Sequence, residues 1–339
     1  YLSAPLKPVI DSTDNSCLPE ILVSPPWRSK KKMTAPRLDL ASLELTPQVY
    51  WQPGEQERLA ATESARYFST ESLAERMEQK SGRVVLQELG FGDDVWLFLN
   101  YILPGKLDAA RNSLIVQWHY YPGRVEEIMN GWSSPEAQLA EQALRNGHVE
   151  VLINIWENDS YSRYRREKSI WNLYLLAQLP REIALTFWLR INEKKHLSAG
   201  EDYFLSIFGL DALPGLLLAF SHRPKETFPL ILNFGATELA LPVARVWRRF
   251  AAQRDLARQW ILHWPEHTAT ALIPLVFTKS SDNSEAALLA LRLLYEQGHG
   301  ELLQTVANRW QRTDVWPALE HLLKQSPIEI YPTRIPKAP

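Results

Sequence analysis

Between residues 133 and 326, apolar positions recur every three or four residues in short runs closed by proline or glycine. That period predicts amphipathic helices of about 10–15 residues. The run "SSPEAQLAEQALRNG" (133–147) shows the pattern most clearly: Ser134 as N-cap, Pro135 in the first turn, Glu136 near the positive helix end and Gly147 as the left-handed residue at the C-terminus. The run "DNSEAALLALRLLYEQG" (282–298) repeats the design, with Asn283 or Ser284 as cap and Gly298 as terminator. Both continue through Gly-His into a second helix ending in tryptophan, "GHVEVLINIW" (147–156) and "GHGELLQTVANRW" (298–310). Between them lie apolar runs at 180–191, 203–210, 212–220, 229–235, 239–253, 254–264 and 269–277. Each has a stripe too narrow to fold alone, and stacking such units buries a continuous core. The expected fold class is therefore all-α, a HEAT-like α-solenoid of short helix pairs.

The first 55 residues follow another rule. Pro5, Pro8, Pro19, Pro25, Pro26, Pro36, Pro47 and Pro53 fix the backbone and remove donors, so an extended arm with short β segments at most is expected. Its apolar residues imply that it packs on the helical body. In "LPEILVSPPWRSKKK" (18–32), Leu18, Ile21, Leu22 and Trp27 read as anchors, Pro25 and Pro26 as a stiffener, and Lys30–Lys32 as the solvent-facing end. Residues 56–132 read as mixed and mainly helical. There, "GRVVLQELG" (82–90) and "SLIVQWHYY" (113–121) fit either strands or buried helix. The domain order expected is arm 1–55, mixed segment 56–132, helical repeats 133–326 and extended tail 327–339.

Composition narrows the function. Lys+Arg 37 against Asp+Glu 39 gives no global bias toward nucleic acid or membrane surfaces, leaving only local patches. Thirteen tryptophans predict indoles at helix seams, each needing an acceptor for its N–H. One cysteine, Cys17, allows neither an intrachain disulfide nor a cysteine zinc site and suits a reducing, cytoplasmic setting. No apolar run is expected to approach the roughly 20 residues that cross a bilayer. With no initiator methionine and no terminal cap, the chain reads as the interior of a longer protein.

Candidate chemistry is sparse. "HWPEH" (263–267) has zinc-hydrolase spacing, with His263 and His267 as ligands and Glu266 beside a bound water. Pro265 argues that one helix ends and another begins there, which separates the imidazoles. His148 and His299 follow glycines at equivalent places in similar units, and turn geometry explains the recurrence. Cys17 has no histidine near it in sequence, Asp93 reads as a helix cap, and no nucleotide or nucleophile-elbow motif occurs. No cofactor is implied. A basic stripe remains: Arg245, Arg248, Arg249, Arg254 and Arg258, interleaved with Trp247 and Trp260. Arg245 with Arg249, and Arg254 with Arg258, are one turn apart, giving positive edges that can meet phosphate or simply cover apolar surface. The cluster "SRYRREK" (162–168) has the same two readings.

Several stretches carry a resemblance: "LPEILVSPPWRSK" (18–30), "YWQPGEQE" (50–57), "FGLDALPGLLLAF", "GATELALPVARVWRRF", "RDLARQWILHWPEHTATALIPLVF" and "EAALLALRLLYEQGHGELLQTVANRW". Together they are similar to the molybdate-metabolism-regulator-like (MolR-like) bacterial proteins, which pair a WGR domain with a long uncharacterised region. The shared pattern falls on Val243–Ala244, on Arg254, Ala257, Trp260, Ile261 and His263, and on Ala290–Leu291–Arg292 with Gly298–His299. In the second of these, Trp264 intervenes before Pro265. No WGR domain and no molybdate-binding constellation is visible in the chain. The resemblance implies a regulatory, WGR-associated bacterial protein of the cytoplasm. From the residues themselves, the expected role is a non-catalytic scaffold that binds a protein partner. A nucleic-acid module built on the arginines stands as the alternative, and a zinc hydrolase follows behind it.

Overall fold

The computed structural model describes residues 36–79, 101–103, 139, 142–151, 171–195, 198–279 and 281–325. Among these the chain is mostly helical with four two-residue strands, an all-α protein. The expected anchors of residues 18–32, Cys17, the two strand-or-helix runs, Asp93, the caps Ser134 and Pro135, the 162–168 cluster and the tail 327–339 lie outside the described residues. The chain divides into two compact units, Glu44–His267 and Tyr1–Leu43 with Thr268–Pro339.

In the first unit, α1 (Glu55–Ala60), α2 (Glu63–Tyr67) and α3 (Thr70–Gln79) follow one another in short steps. Next come α4 (Leu173–Leu176), α5 (Arg181–Glu193), α6 (Glu201–Phe208), α7 (Leu213–His222), α8 (Pro224–Ile231), α9 (Thr237–Arg249) and α10 (Arg254–His263). Packing runs between near neighbours: α5 on α7, α7 on α8 and α9, α8 and α9 on α10, and α6 on α4. The long-range exception is α1, which packs on α6. The strands β1 (Gln48–Val49) and β4 (Phe234–Gly235) pair antiparallel, and the Tyr50 N–H extends the ladder to the Asn233 carbonyl at 2.8 Å. The strands β2 (Trp171–Asn172) and β3 (Ser198–Ala199) pair in parallel, and Asn172 Oδ1 then caps α4 by accepting from the Tyr174 and Leu175 N–H groups.

Indoles hold the seams. Trp188 of α5 is buried against Phe204 and donates through Nε1 to the Ala212 carbonyl at 2.8 Å. Trp260 and Trp264 donate to the carbonyls of Phe234 and Leu232 at 2.9 and 3.0 Å, tying α10 to the α8–α9 connection. These three indoles occupy helix seams with their N–H groups bonded, and a buried indole N–H left without an acceptor costs free energy. Beside them runs a half-buried polar chain: Arg223 pairs with Glu201 at 2.7 Å, and the same Glu201 oxygen accepts from Ser198 Oγ at 2.6 Å.

The second unit contains most of α11 (Pro265–Val276), then α12 (Asp282–Glu296), α13 (Gly300–Asn308) and α14 (Val315–Lys324). The division falls inside α11, between His267 and Thr268. Helices α12, α13 and α14 pack on one another around Leu291, Leu294, Leu303, Val306 and Leu319. Arg292 is buried there, and its guanidinium donates to the Leu322 carbonyl at 2.7 Å in the last turn of α14. Burial lowers its pKa from the ordinary arginine value. Residues 36–43 contain no helix, and the α13–α14 loop grips them. There Trp310 Nε1 donates to the Ala41 carbonyl at 2.7 Å, and Arg312 donates to the Asp39 carbonyl at 3.3 Å.

Three sequence expectations are corrected. The cap of α12 is Ser281, one residue before the helix, whose hydroxyl accepts from the Ser284 N–H while Ser284 Oγ accepts from the Ser281 N–H. Ser284 therefore serves as the far half of a capping box. The run 229–235 is not one helix: α8 starts at Pro224, passes through Pro229 and ends at Ile231, and Phe234–Gly235 is strand. Finally, Glu201–His222 is long and apolar enough by length and composition to cross a membrane, contrary to the expectation that no run approaches that length. The chain breaks it at Gly209, φ 54° and ψ −130°, into two helices of 8 and 10 residues joined by a 3-10 turn. Its apolar side chains Phe204, Leu205, Leu216 and Phe220 are buried in the protein.

Candidate functional site: a basic and aromatic helical hairpin

Helix α9 buries Leu239, Ala240, Val243, Ala244 and Val246, a stripe that leaves Glu238, Arg245 and Arg249 exposed on the opposite side. It ends where Phe250 leaves helical geometry at φ −113° and ψ 96°. A 3-10 turn, Ala251–Gln253, reverses the chain into α10, which buries Ala257, Trp260 and Ile261. All five arginines of the sequence stripe lie on this hairpin. Arg245, Arg249, Arg254 and Arg258 are exposed, and Arg248 is half-buried beside Trp247.

The structure sorts them. Arg245 and Arg249 occupy one outward face of α9 at i,i+4 spacing. Arg248 and Arg249 fall in the last turn of α9, where a cation favours the negative helix end. Arg254 instead lies against Trp247. Its guanidinium carbon is 5.8 Å from the ring centroid, and Nε donates to the Trp247 carbonyl at 3.3 Å. Asp255 supplies the acid that the positive end of α10 favours.

The sequence reading missed Phe250. It is 53% exposed, a bare aromatic ring at the tip of the hairpin between Arg249 and Arg254. No periodicity marks it, because its exposure follows from where α9 stops. The second tryptophan of the expected stripe, Trp260, is fully buried and belongs to the core.

Other candidates resolve into packing. Helix α10 ends at His263 and α11 begins at Pro265, so the expected break inside "HWPEH" is present. His263 faces the Tyr50 ring at 5.4 Å, whereas His267 is buried with Nε2 3.2 Å from the Thr46 carbonyl. Among the described residues, no three His, Cys, Asp or Glu side chains cluster to hold a metal ion. Gly147 and Gly298 take φ of 70° and 91°, and the following histidines donate their backbone N–H back to Ala143 and Leu294. That is the same Schellman turn twice, made by the histidine backbone. A shallow cleft of about 70 Å³ lies among Tyr50, Gln52, Asn233, Gln259 and His263. Metabolite pockets run to roughly 300–1,000 Å³, so it is too small for one.

Among the described residues, fold and hairpin together define an all-α protein of short packed helices with a concentrated basic and aromatic tip. The chain is 91% identical over all 339 residues to the uncharacterized protein YehI of Escherichia coli strain K12, and it spans 28% of that protein's length. No protein-family model matches the chain, and no solved structure matches it.

Proposed function

We propose that this chain is a non-catalytic, HEAT-like helical-repeat interaction region of a larger cytoplasmic regulatory protein. The carrying observation is that short helices pack on elements one or two along, as α7 does on α8 and α9, and α12 on α13 and α14. Quasi-one-dimensional packing of this kind supports a scaffold whose outward positions are available for partners. The relative being more than three times as long is in keeping with a part that works beside other parts. The regulatory role rests on the resemblance to the molybdate-metabolism-regulator-like proteins. The contact surface is the α9–α10 hairpin, because it concentrates exposed positive charge around an exposed ring. A protein partner is the general expectation, and nucleic acid is the alternative that the hairpin's chemistry favours.

The test is affinity capture with the chain as bait, compared with a variant in which Arg245, Arg249, Arg254 and Arg258 are changed to Glu. Loss of specific capture with an unchanged thermal melt is the expected result. Unchanged capture would remove the hairpin from the reading. Steady turnover abolished by one polar substitution would sink the scaffold itself.

A further inference from the structure

Resting on the reading of the hairpin as the contact surface, we infer that its occupant is single-stranded nucleic acid, stacked on Phe250 and held by the flanking arginines. Three observations combine. First, residues 245–258 hold five arginines, no lysine and a single acid, Asp255, although the whole chain carries a net charge of −2. Positive charge is therefore concentrated at this tip, and guanidinium groups suit phosphate oxygens through paired N–H donors.

Second, the exposed apolar surface here is one flat ring. A protein interface of ordinary stability centres on a desolvated apolar core. In this hairpin the large exposed hydrophobic side chain is Phe250, while Val246, Trp260 and Ile261 are spent inside. A surface rich in positive charge and poor in apolar area is the composition of nucleic-acid contacts. Third, the ring protrudes at a chain reversal, where a base can reach its face. Bases inside a duplex are already stacked on each other, so an exposed ring discriminates for the single strand. Arg254 is pre-positioned by its Trp247 contacts, which lowers the ordering cost of binding.

The experiment is fluorescence anisotropy of a labelled 20-nucleotide oligothymidylate with the 339-residue chain. A duplex of equal length and an acidic poly-glutamate peptide serve as comparison probes. The oligothymidylate is expected to bind most tightly, with a log–log salt slope of about −3 for four to five neutralised phosphates. Between 50 and 200 mM salt that slope loses about 60-fold in affinity. Phe250→Ala should weaken binding about 5- to 150-fold with little change in the salt slope, and Phe250→Trp should restore it. Arg245→Glu with Arg249→Glu should flatten the slope.

Absence of oligonucleotide binding at 50 mM salt overturns the inference, as does an unaffected Phe250→Ala variant. Equal or tighter binding of poly-glutamate overturns it in favour of an acidic protein. If the oligonucleotide fails to bind while charge reversal still abolishes partner capture, this inference falls and the interaction reading stands. If charge reversal leaves capture unchanged, the hairpin drops out of the interaction reading on its own evidence.

Discussion

At the scale of single residues, the tryptophans set the tightest constraints. Gly215 in α7 lies against the Trp188 indole so closely that a Cβ there would collide with the ring. That ring cannot step aside without losing the Nε1 bond to the Ala212 carbonyl. Gly215→Ala is therefore expected to destabilise the chain by about 1–3 kcal/mol, despite the better helix propensity of alanine. Urea denaturation measures it, and adding Trp188→Phe should recover part of the loss, since the two sites share one contact. A Gly215→Ala variant as stable as the parent would remove the collision from the account. This constraint was only half legible in the sequence. Thirteen indoles said that acceptors were needed, but the acceptors lie 24 to 269 residues away in sequence for Trp188, Trp260, Trp264 and Trp310. Spacing along the chain carries no information about pairs that far apart.

At the scale of elements, proline and glycine punctuation located most helices of the described residues, and local chemistry explains why. The helix at 254–263 begins at Arg254 and stops before Pro265, as its breaker dictates. Gly298 closes α12 in the left-handed region, where it has no Cβ to strain. Elsewhere long-range pairing won. Leu232–Gly235 looked helical because it is apolar, but two of its residues pair with Gln48 and Val49, about 186 positions upstream. The arginine pairs of the hairpin were legible as i,i+4 neighbours. The exposed Phe250 was not, since it depends on where α9 ends. The displaced cap of α12 gives a direct check. Ser281→Ala removes the acceptor for the Ser284 N–H and should cost about 1 kcal/mol. Gly298→Ala at the other end meets no neighbouring atoms, so its cost should be the backbone term alone, again about 1 kcal/mol. Thermal or urea midpoints of both variants decide, and a Ser281→Ala variant without loss would return the cap to Asn283.

For the whole molecule, near-balanced charge means that stability should depend on pH through specific groups more than through global repulsion. Tyr174 and Tyr203 are the informative pair. They lie 4.9 Å apart between α4 and α6, with Phe68 stacked on Tyr174. Burial raises both phenol pKa values above 10.0. For Tyr174 a hydrogen bond with Ser64 offsets this in part, and for Tyr203 the neighbouring Tyr174 adds to it. A pKa raised on folding means that the native state holds its proton more tightly than the unfolded chain does. The contribution is fully present below the unfolded value near 10 and is lost as pH rises through the higher folded value. Stability should therefore fall above about pH 10. The exposed Lys324–Glu320 pair raises the lysine pKa in the same sense, but solvent screens it, so its share of the slope is small. Urea midpoints taken from pH 8 to 11.5 should show the decline in the parent and a shallower one in Tyr174→Phe. Parallel curves for parent and variant would show that the buried phenols do not set the alkaline limit, and a slope abolished by Lys324→Gln would move it to the surface pair.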